Sequence, residues 1–194
     1  MEPKHFEGVI GLQRLAFPAP FDELLLWRED HLRAHLDKLP TAQWVALDGD
    51  KVVGSCSNTQ ITQEHYDNHL SWDETVGGYS LDTFDPYGKV LYGLDISVHP
   101  DYRRMGMGRA FYTQRKIITQ QMFDFYATAC RIPDYQTSGC PDVETYCEEV
   151  KFGQRIDRTL SPLLRYGLSL VDVLTNYMND PESGNAAALL EWRP

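Results

Sequence analysis

The sequence lacks an apolar run long enough to cross a membrane. No stretch approaches the roughly 18 consecutive apolar residues that suggest a spanning helix. Residues 1–5 also lack the basic-then-apolar pattern with which a secretory signal begins. We therefore expect a cytoplasmic protein that makes no contact with a membrane.

Positive charge is scarce. The 194 residues include 18 Lys and Arg against 28 Asp and Glu, which gives a formal net charge of −10. The summed field repels phosphate backbones, so nucleic acid is not an expected partner. The same charge does not exclude a single anionic cofactor, because a few backbone N–H groups and one or two arginines can bind it locally.

Cysteine is also rare, and no cluster of metal ligands is apparent. The four cysteines are dispersed, at Cys56, Cys130, Cys140 and Cys147. A chain of this length does not need disulfides, so we interpret them as reduced thiols. His31 with His35 and His65 with His69 are each one helical turn apart, but no third ligand accompanies either pair. No metal is predicted.

What is present is a continuous succession of periodic segments, which predicts one domain over residues 1–194. The segments are helices over 6–15 and 25–39, a hairpin over 44–56, a strand over 90–98, a helix after it, a strand over 125–130, helices over 143–152 and 159–166, and strands over 168–177 and 186–192. Residues 60–89 show no sustained period and predict a long excursion with one short helix. The helix after residue 98 is expected to bury Phe111, Ile118 and Met122.

The strand over 90–98 leads into a loop that contains two glycines and three arginines. Strand alternation predicts Val90, Tyr92, Leu94, Ile96 and Val98 on one face, and Asp95 on the other face beside Gly93. Gly106 and Gly108 would let a ligand approach the unpaired N–H groups of the first helical turn. Arg103, Arg104 and Arg109 could then donate to phosphate oxygens. A simple turn with solvated arginines explains the glycines equally well.

The pattern Arg103-x-x-Gly106-x-Gly108 after an extended strand resembles the coenzyme A loop of the GNAT superfamily of N-acetyltransferases. More narrowly, the chain resembles the acetyltransferase domain fused to, or found beside, nitrilase-type hydrolases. The resemblance covers residues 6–192. The matching pieces are Leu91-Tyr92-Gly93, Arg131-Ile132-Pro133 with Tyr135, Tyr146, Asp157 before Leu160, and Asn176-Tyr177 through Asp180 and Ser183 to Leu190-Glu191-Trp192.

This resemblance implies an α+β fold of GNAT type, with a mixed, mostly antiparallel sheet and helices on both faces. The strands over 90–98 and 125–130 would separate, and the pantetheine arm of acetyl-CoA or coenzyme A would lie between them. The cofactor-binding residues that it implies are Ile96, Ser97, Val98, Arg103, Arg104, Met105, Gly106, Met107, Gly108 and Arg109. A backbone N–H of the first strand would polarise the thioester carbonyl.

Direct acyl transfer requires a base for the ammonium and an acid for the departing thiolate. Asp95 is the candidate base, and an arginine-paired aspartate that moves no proton is the equal alternative. Many members of the superfamily place a tyrosine four residues before a late Gly-Phe pair, and Leu163 occupies that position here. Tyr146 is therefore the candidate acid, with Tyr166 also open, although a tyrosine is more often a packing residue.

Two departures from the family pattern leave the function open. No strand pattern precedes the first helix, so the sheet is expected to lack or shorten its first edge strand, and the exposed edge could form a homodimer. Asp134 replaces the glycine usual after Arg131-Ile132-Pro133. The predicted function is transfer of an acyl group, most simply acetyl, to an amine of a small molecule or protein. The alternative is a non-catalytic coenzyme A sensor or an accessory subunit of a nitrilase-like enzyme.

Overall fold

Two helices precede the first strand of a six-stranded sheet. The structure is a computed structural model that describes residues 1–18, 21–68 and 71–194. Its helices are α1 Phe6–Ala16, α2 Glu29–Lys38, α3 Gln63–Asp67, α4 Trp72–Val76, α5 Met107–Met122, α6 Val143–Lys151 and α7 Leu160–Arg165. Its strands are β1 Trp44–Asp48, β2 Lys51–Ile61, β3 Val90–Val98, β4 Phe125–Cys130, β5 Ser169–Leu174 and β6 Ala187–Trp192. Within the described ranges, no helix is both long and apolar enough to cross a bilayer.

The sheet is mixed and mostly antiparallel, as predicted. The strand order is β1-β2-β3-β4-β6-β5, and β3 with β4 is the parallel pair. No strand precedes α1 in described residues 1–5, so β1 forms one edge of the sheet. Helix α2 begins at Glu29, later than predicted, because the ring of His31 accepts the Arg28 N–H (3.3 Å) and caps the helix there.

Apolar clusters lie on both faces of the sheet. One cluster packs α5, α6 and α7 against the sheet, and we call that side the α5 face. Two further clusters pack α1 and α2, and the segment containing α3 and α4, against the opposite side, which we call the α1 face. The stripe predicted for α5 is partly wrong, because Met122 is half exposed whereas Phe111 and Ile118 are buried.

The excursion between β2 and β3 contains two short helices rather than one. The Thr62 hydroxyl accepts the His65 N–H (3.2 Å), and the Ser71 hydroxyl accepts the Glu74 N–H (3.2 Å). Each hydroxyl satisfies an N–H that the first helical turn leaves unpaired. These local caps start α3 and α4 where no apolar period is long enough to indicate a helix.

A β-bulge in β3 corrects the predicted alternation. Ser57 pairs with Asp95, but the next residue of β2, Asn58, pairs with Gly93, so Leu94 is an extra residue in β3. The bulge reverses the alternation of side chains that follows it. Ile96 therefore packs in the cluster of the α5 face, whereas Tyr92 packs on the α1 face. The prediction that these two residues share a face was wrong for this reason.

Candidate active site

Strands β3 and β4 pair over a short length and then separate. Their ladder contains three residue pairs, from Val90 with Phe125 to Tyr92 with Ala127. At the next position the Thr128 hydroxyl donates to the Gly93 carbonyl (3.0 Å), so a side chain replaces the ladder hydrogen bond. Among the described residues, the ladder between β3 and β4 does not continue beyond this point. The bulge at Leu94 lies where the separation begins, as expected if it redirects β3.

The buried guanidinium of Arg115, on α5, braces this bulge. Its nitrogens donate to Asn58 Oδ1 (2.7 Å), Tyr126 Oη (2.8 Å) and the carbonyl oxygens of Ser57 and Asp95 (both 3.2 Å). It is 1% exposed and lies over the rings of Tyr112 and Tyr126. Sequence reasoning missed this residue. The available signal was a charged residue on the apolar stripe of α5, between Phe111 and Ile118.

The separated strands open a cavity of about 450 Å³ that reaches both faces of the sheet. Gly108, Tyr112, Leu163 and Tyr166 line it on the α5 face, while Gln13, Trp27, Trp72 and Tyr79 line it on the α1 face. Residues 94–96 of β3 and 128–130 of β4 lie between the two groups. The cavity therefore lies along one strand edge and is lined from both faces of the sheet.

Asp95 lines the cavity, and its carboxylate points toward the α1 face. Ser97 Oγ donates to Asp95 Oδ2 (3.0 Å). Burial raises the pKa of Asp95 to about 6, while Ser97, the Arg115 charge, Gln13 and Trp27 oppose that rise. The net result is a carboxyl group that titrates near neutrality and still accepts hydrogen bonds, as a general base must.

The expectation that Gly93 leaves space beside Asp95 was wrong. A Cβ at Gly93 would meet Tyr126 Oη and the Arg115 guanidinium, both on the α5 face. Asp95 faces the other way because the bulge separates the two residues. The carboxylate instead lies near the side chain of Trp27, which helps to lower the pKa of Asp95.

Tyr146 lies outside the cavity wall. It is fully buried, and its hydroxyl donates to Asp157 Oδ2 (2.8 Å). Burial and this hydrogen bond raise the pKa of Tyr146 far above its ordinary value. Asp157 also accepts the N–H groups of Thr159 and Leu160 (both 2.7 Å), so the pair fixes the start of α7. The catalytic role of Tyr146 stays a prediction that this geometry does not favour.

The predicted anion loop connects β3 to α5. Arg104 and Gly106 adopt left-handed conformations (φ 63° and 86°), and Gly106 is the N-cap of α5. The first helical hydrogen bond runs from Ala110 N to Gly106 O (2.9 Å), which leaves the N–H groups of residues 107–109 without a helical partner. A Cβ at Gly108 would lie 4.0 Å from its nearest neighbour, Tyr166 Oη. Because Gly108 has no Cβ and the space around it is open, a ligand can approach these N–H groups closely.

The three arginines of this loop have different environments. Arg103 donates to the carbonyl oxygens of Val98 (3.4 Å) and Ala16 (3.2 Å), and so connects the loop to the end of α1. Arg104 and Arg109 are exposed, and their side chains have no hydrogen-bond or ion-pair partner in the part of the chain that the structure describes. Met105 is also exposed, whereas the Met107 side chain packs beside Gly54. Arg104 and Arg109 are therefore the arginines available to an anion.

The backbone of β3 supplies donors and acceptors along the gap. His99 N donates to Val53 O (2.9 Å), so the backbone N–H of His99 points toward β2. Because backbone groups alternate along a strand, those of Ile96 and Val98 face the opposite edge, toward the gap, and those of Ser97 face β2. The Ser97 side chain reaches Asp95 instead. Of the three cofactor-binding residues predicted in β3, Ile96 and Val98 therefore direct backbone groups toward a ligand in the gap. Ser97 instead contacts the Asp95 carboxylate.

His31 and His35 both pack against Tyr79. His31 stacks on Tyr79 (4.6 Å between centroids), and His35 Nε2 is 3.1 Å from the Tyr79 carbonyl oxygen. Burial lowers the pKa of His35 to about 4, so its ring is neutral and packed. His69 lies outside the described residues. Among those described, no group of three or more His, Cys, Asp or Glu side chains is arranged to hold a metal.

Comparison with known proteins places the chain in a family. Residues 6–125 match the model of the acetyltransferase (GNAT) family. The chain is also 33% identical over 189 residues to the uncharacterized N-acetyltransferase YkwB of Bacillus subtilis strain 168, covering 96% of this chain and 84% of YkwB. The chain therefore belongs to the GNAT acetyltransferase family, whose general chemistry is acyl transfer.

A second relative is considerably longer. The chain is 31% identical over 195 residues to YhcX of Bacillus subtilis strain 168, described as a probable hydrolase, with 99% of this chain aligned. It spans 37% of YhcX, so this match concerns one part of that protein.

Solved structures share the fold at low sequence identity. The loading GNATL domain of CurA from Lyngbya majuscula has a TM-score of 0.84 at 16% identity, covering 100% of this chain and 94% of that one. The GNAT-like decarboxylase GphF, in complex with isobutyryl-CoA, has a TM-score of 0.79 at 18% identity, covering 100% and 96%. These similarities establish the fold, and the second concerns a structure that contains an acyl-CoA.

Proposed function

We propose that the protein is an acyl-CoA-dependent N-acyltransferase that transfers an acyl group, most simply acetyl, directly to an amine. The observation that carries this proposal is the cavity between β3 and β4, which joins the α5 N-terminus on one face to Asp95 on the other. This arrangement lets a thioester and an amine meet at one strand edge from opposite sides.

The α5 face suits coenzyme A. The N–H groups of residues 107–109, which have no partner within the helix, would bind the diphosphate together with Arg104 and Arg109, and the helix dipole favours negative charge there. The backbone groups of Ile96 and Val98 would hydrogen-bond the extended pantetheine arm and polarise the thioester carbonyl. Arg103 would support the loop through Val98 and Ala16 rather than contact phosphate.

The α1 face suits the amine. Asp95 would accept a proton from the ammonium, and the neutral amine would then attack the thioester carbonyl and release the thiolate. With a pKa of about 6, Asp95 is ionised at neutral pH. This pKa is also close enough to 7 for the carboxylate to accept a proton. Tyr146, held by Asp157, would position α7 rather than donate a proton. Tyr166 lines the cavity and is the better placed of the two tyrosines to protonate the departing thiolate.

Thiol release from acetyl-CoA in the presence of primary amines tests the proposal. We expect turnover that increases with pH through a midpoint near 6, following the ionisation of Asp95. Asp95→Asn should lower kcat by about 100- to 10,000-fold, the range attributed to a general base. Asp50→Asn, in the exposed turn between β1 and β2, is the matched control and should leave kcat unchanged. Full activity of Asp95→Asn would contradict the assigned base.

Decarboxylation of an acyl-CoA is a second candidate function. Leu163, which cannot donate a proton, lines the cavity where the superfamily commonly has its acid. A decarboxylase releases no thiolate and needs no acid there, and the structural neighbour GphF is described as a decarboxylase. The bond from the α-carbon to the carboxylate would break, its electrons would enter the thioester enolate, and protonated Asp95 would protonate the α-carbon. Conversion of malonyl-CoA to acetyl-CoA and CO₂ without an amine would support this candidate.

A non-catalytic role is the third possibility, because the chain corresponds to part of the longer YhcX. A coenzyme A sensor or accessory subunit of a nitrilase-like enzyme would bind acetyl-CoA and turn over neither amines nor malonyl-CoA. Calorimetry with acetyl-CoA, combined with the two activity assays, separates these functions.

A further inference from the structure

Aromatic rings form a continuous wall on the α1 face of the cavity. Trp27, Trp72 and Tyr79 line the cavity and pack on one another. Their ring centroids are 6.0 Å apart for Trp27 and Trp72, 5.8 Å for Trp27 and Tyr79, and 5.4 Å for Trp72 and Tyr79. At these distances no guest fits between the rings, but a flat apolar group can lie against them.

The charged residues that line the cavity favour a cationic substrate that has no carboxylate group of its own. Asp95 lies beside the aromatic wall, and Asp73 lines the cavity from an exposed position. Three arginines also line the cavity, but each is already engaged. Arg115 contacts Asn58, Tyr126 and two carbonyl oxygens, Arg131 pairs with Asp180 (2.6 Å) and Glu182 (2.8 Å), and Arg158 pairs with Asp134 (3.3 Å) and Glu182 (3.1 Å).

At Arg131, a substrate carboxylate would have to displace Asp180, whose side chain is 2% exposed, and leaving that buried charge uncompensated is strongly unfavourable. Arg158 is exposed to solvent, so a carboxylate that paired with it would gain little. An ammonium, by contrast, meets the Asp95 carboxylate, which accepts a hydrogen bond from Ser97 but forms no ion pair among the described residues, and the faces of electron-rich rings, both of which attract cations.

The cavity also limits the size of the acceptor. Phe17, Phe21, Leu25 and Leu26 line it from the segment between α1 and α2. Its volume of about 450 Å³ lies within the range of small-molecule sites and must receive both the thioester and the amine. The available space suits a small molecule better than a protein chain.

We propose, on the basis of the acyl transfer proposed above, that the acceptor is a small primary amine without a carboxylate. Its flat apolar body lies against Trp27, Trp72 and Tyr79, and its ammonium faces Asp95. The aromatic wall thus determines which amine is accepted, while Asp95 prepares that amine for attack.

Four amines test this inference by the thiol released from acetyl-CoA. 2-Phenylethylamine and phenylalanine share a ring and differ by a carboxylate, propylamine lacks the ring, and a short alanyl peptide offers a chain terminus. We expect kcat/KM for 2-phenylethylamine to exceed that of each of the others by about tenfold or more, because the others lose ring packing or bring an unpaired carboxylate. A higher kcat/KM for phenylalanine or the peptide would overturn the inference and leave N-acyl transfer intact.

A variant pair tests the wall itself. Trp72→Leu should raise KM for 2-phenylethylamine by about tenfold and leave KM for propylamine unchanged, since only the former amine packs on the wall. Tyr87→Leu, at an aromatic residue that is 87% exposed, is the control and should change neither value. Equal effects of Trp72→Leu on both amines would contradict a role in recognising the flat body.

Binding distinguishes the two possible failures. If no amine is acetylated, the proposed function fails, and calorimetric titration of 2-phenylethylamine into protein saturated with coenzyme A still tests the wall. Binding that Trp72→Leu weakens and Tyr87→Leu does not would support the inference. No binding, or binding insensitive to Trp72→Leu, would overturn it.

Discussion

At the scale of single residues, the burial that raises the pKa of Asp95 should also make the folded protein less stable when the carboxylate is ionised. Its pKa rises on folding from the ordinary 3.8 to about 6, so between those values the folded chain binds more protons than the unfolded chain. Stability therefore falls as pH rises through this window and stays lower above it. Asp95→Asn should raise the free energy of unfolding at pH 8 by about 1–3 kcal/mol and by much less at pH 4. Urea denaturation at both values measures this, and a loss of stability at pH 8 would contradict it.

Gln13 should adjust the ionisation of Asp95 from α1. Its Oε1 accepts the Trp27 backbone N–H (2.6 Å), and its side chain lowers the pKa of Asp95. Gln13→Leu removes that effect, so the midpoint of the pH–activity profile should move above its wild-type position near 6. Gln60→Leu, which removes a buried amide that donates to Gly88 O (2.9 Å), is the matched control. It should lose stability without moving the midpoint, and an unmoved midpoint in Gln13→Leu would argue against this role.

At the scale of elements, the bulge in β3 depends on Arg115. Arg115→Met leaves the acceptors on Ser57, Asn58 and Asp95 without their buried donor, and should lower the free energy of unfolding by about 3–5 kcal/mol. Arg109→Met, on the same helix at an exposed position, should change it by less than about 0.5 kcal/mol. Urea titration of the ligand-free variants compares the two, and equal stabilities would show that Arg115 does not brace the strand.

The start of α5 should show opposite effects on stability and on cofactor binding. Gly108 lies in the first helical turn with open space around a would-be Cβ, so Gly108→Ala should stabilise the free protein by up to about 1 kcal/mol. The added methyl group faces the region where we place the diphosphate. The rise in Tm that acetyl-CoA produces should therefore be smaller than in the wild type. An undiminished rise would place the diphosphate elsewhere, and Gly108→Trp, which should weaken binding sharply, repeats the test with a larger obstruction.

How much of this could be predicted from sequence differs between elements. Strand β3, the loop at residues 99–106 and helix α5 have strong local patterns, and their positions were predicted correctly. The bulge at Leu94 has no local signal, because its register depends on pairing with β2. The orientation of Asp95 relative to Gly93 was therefore predicted wrongly, and the role of Asp95 as a base stays a prediction.

At the scale of the whole molecule, the cavity exists because distant segments meet at the gap between β3 and β4. Trp27, Trp72 and Tyr79 come from two separate segments, and nothing in their spacing indicates that they meet. Tyr146 was chosen as a candidate from the family resemblance. In the structure its hydroxyl donates to Asp157, and the residue lies outside the cavity. Residue types and local order indicated the glycine- and arginine-containing loop before α5, whereas the aromatic residues on the α1 face could be brought together only by the folded structure.

The central claim is that a thioester cofactor crosses the sheet between β3 and β4, with its diphosphate at the N-terminus of α5. A crystal structure determined with acetyl-CoA tests it directly. We predict diphosphate density at the N–H groups of residues 107–109 and a thioester beside Ile96, within reach of an amine held at Asp95. A cofactor bound elsewhere, or a gap filled by side chains at saturating acetyl-CoA, would contradict the account.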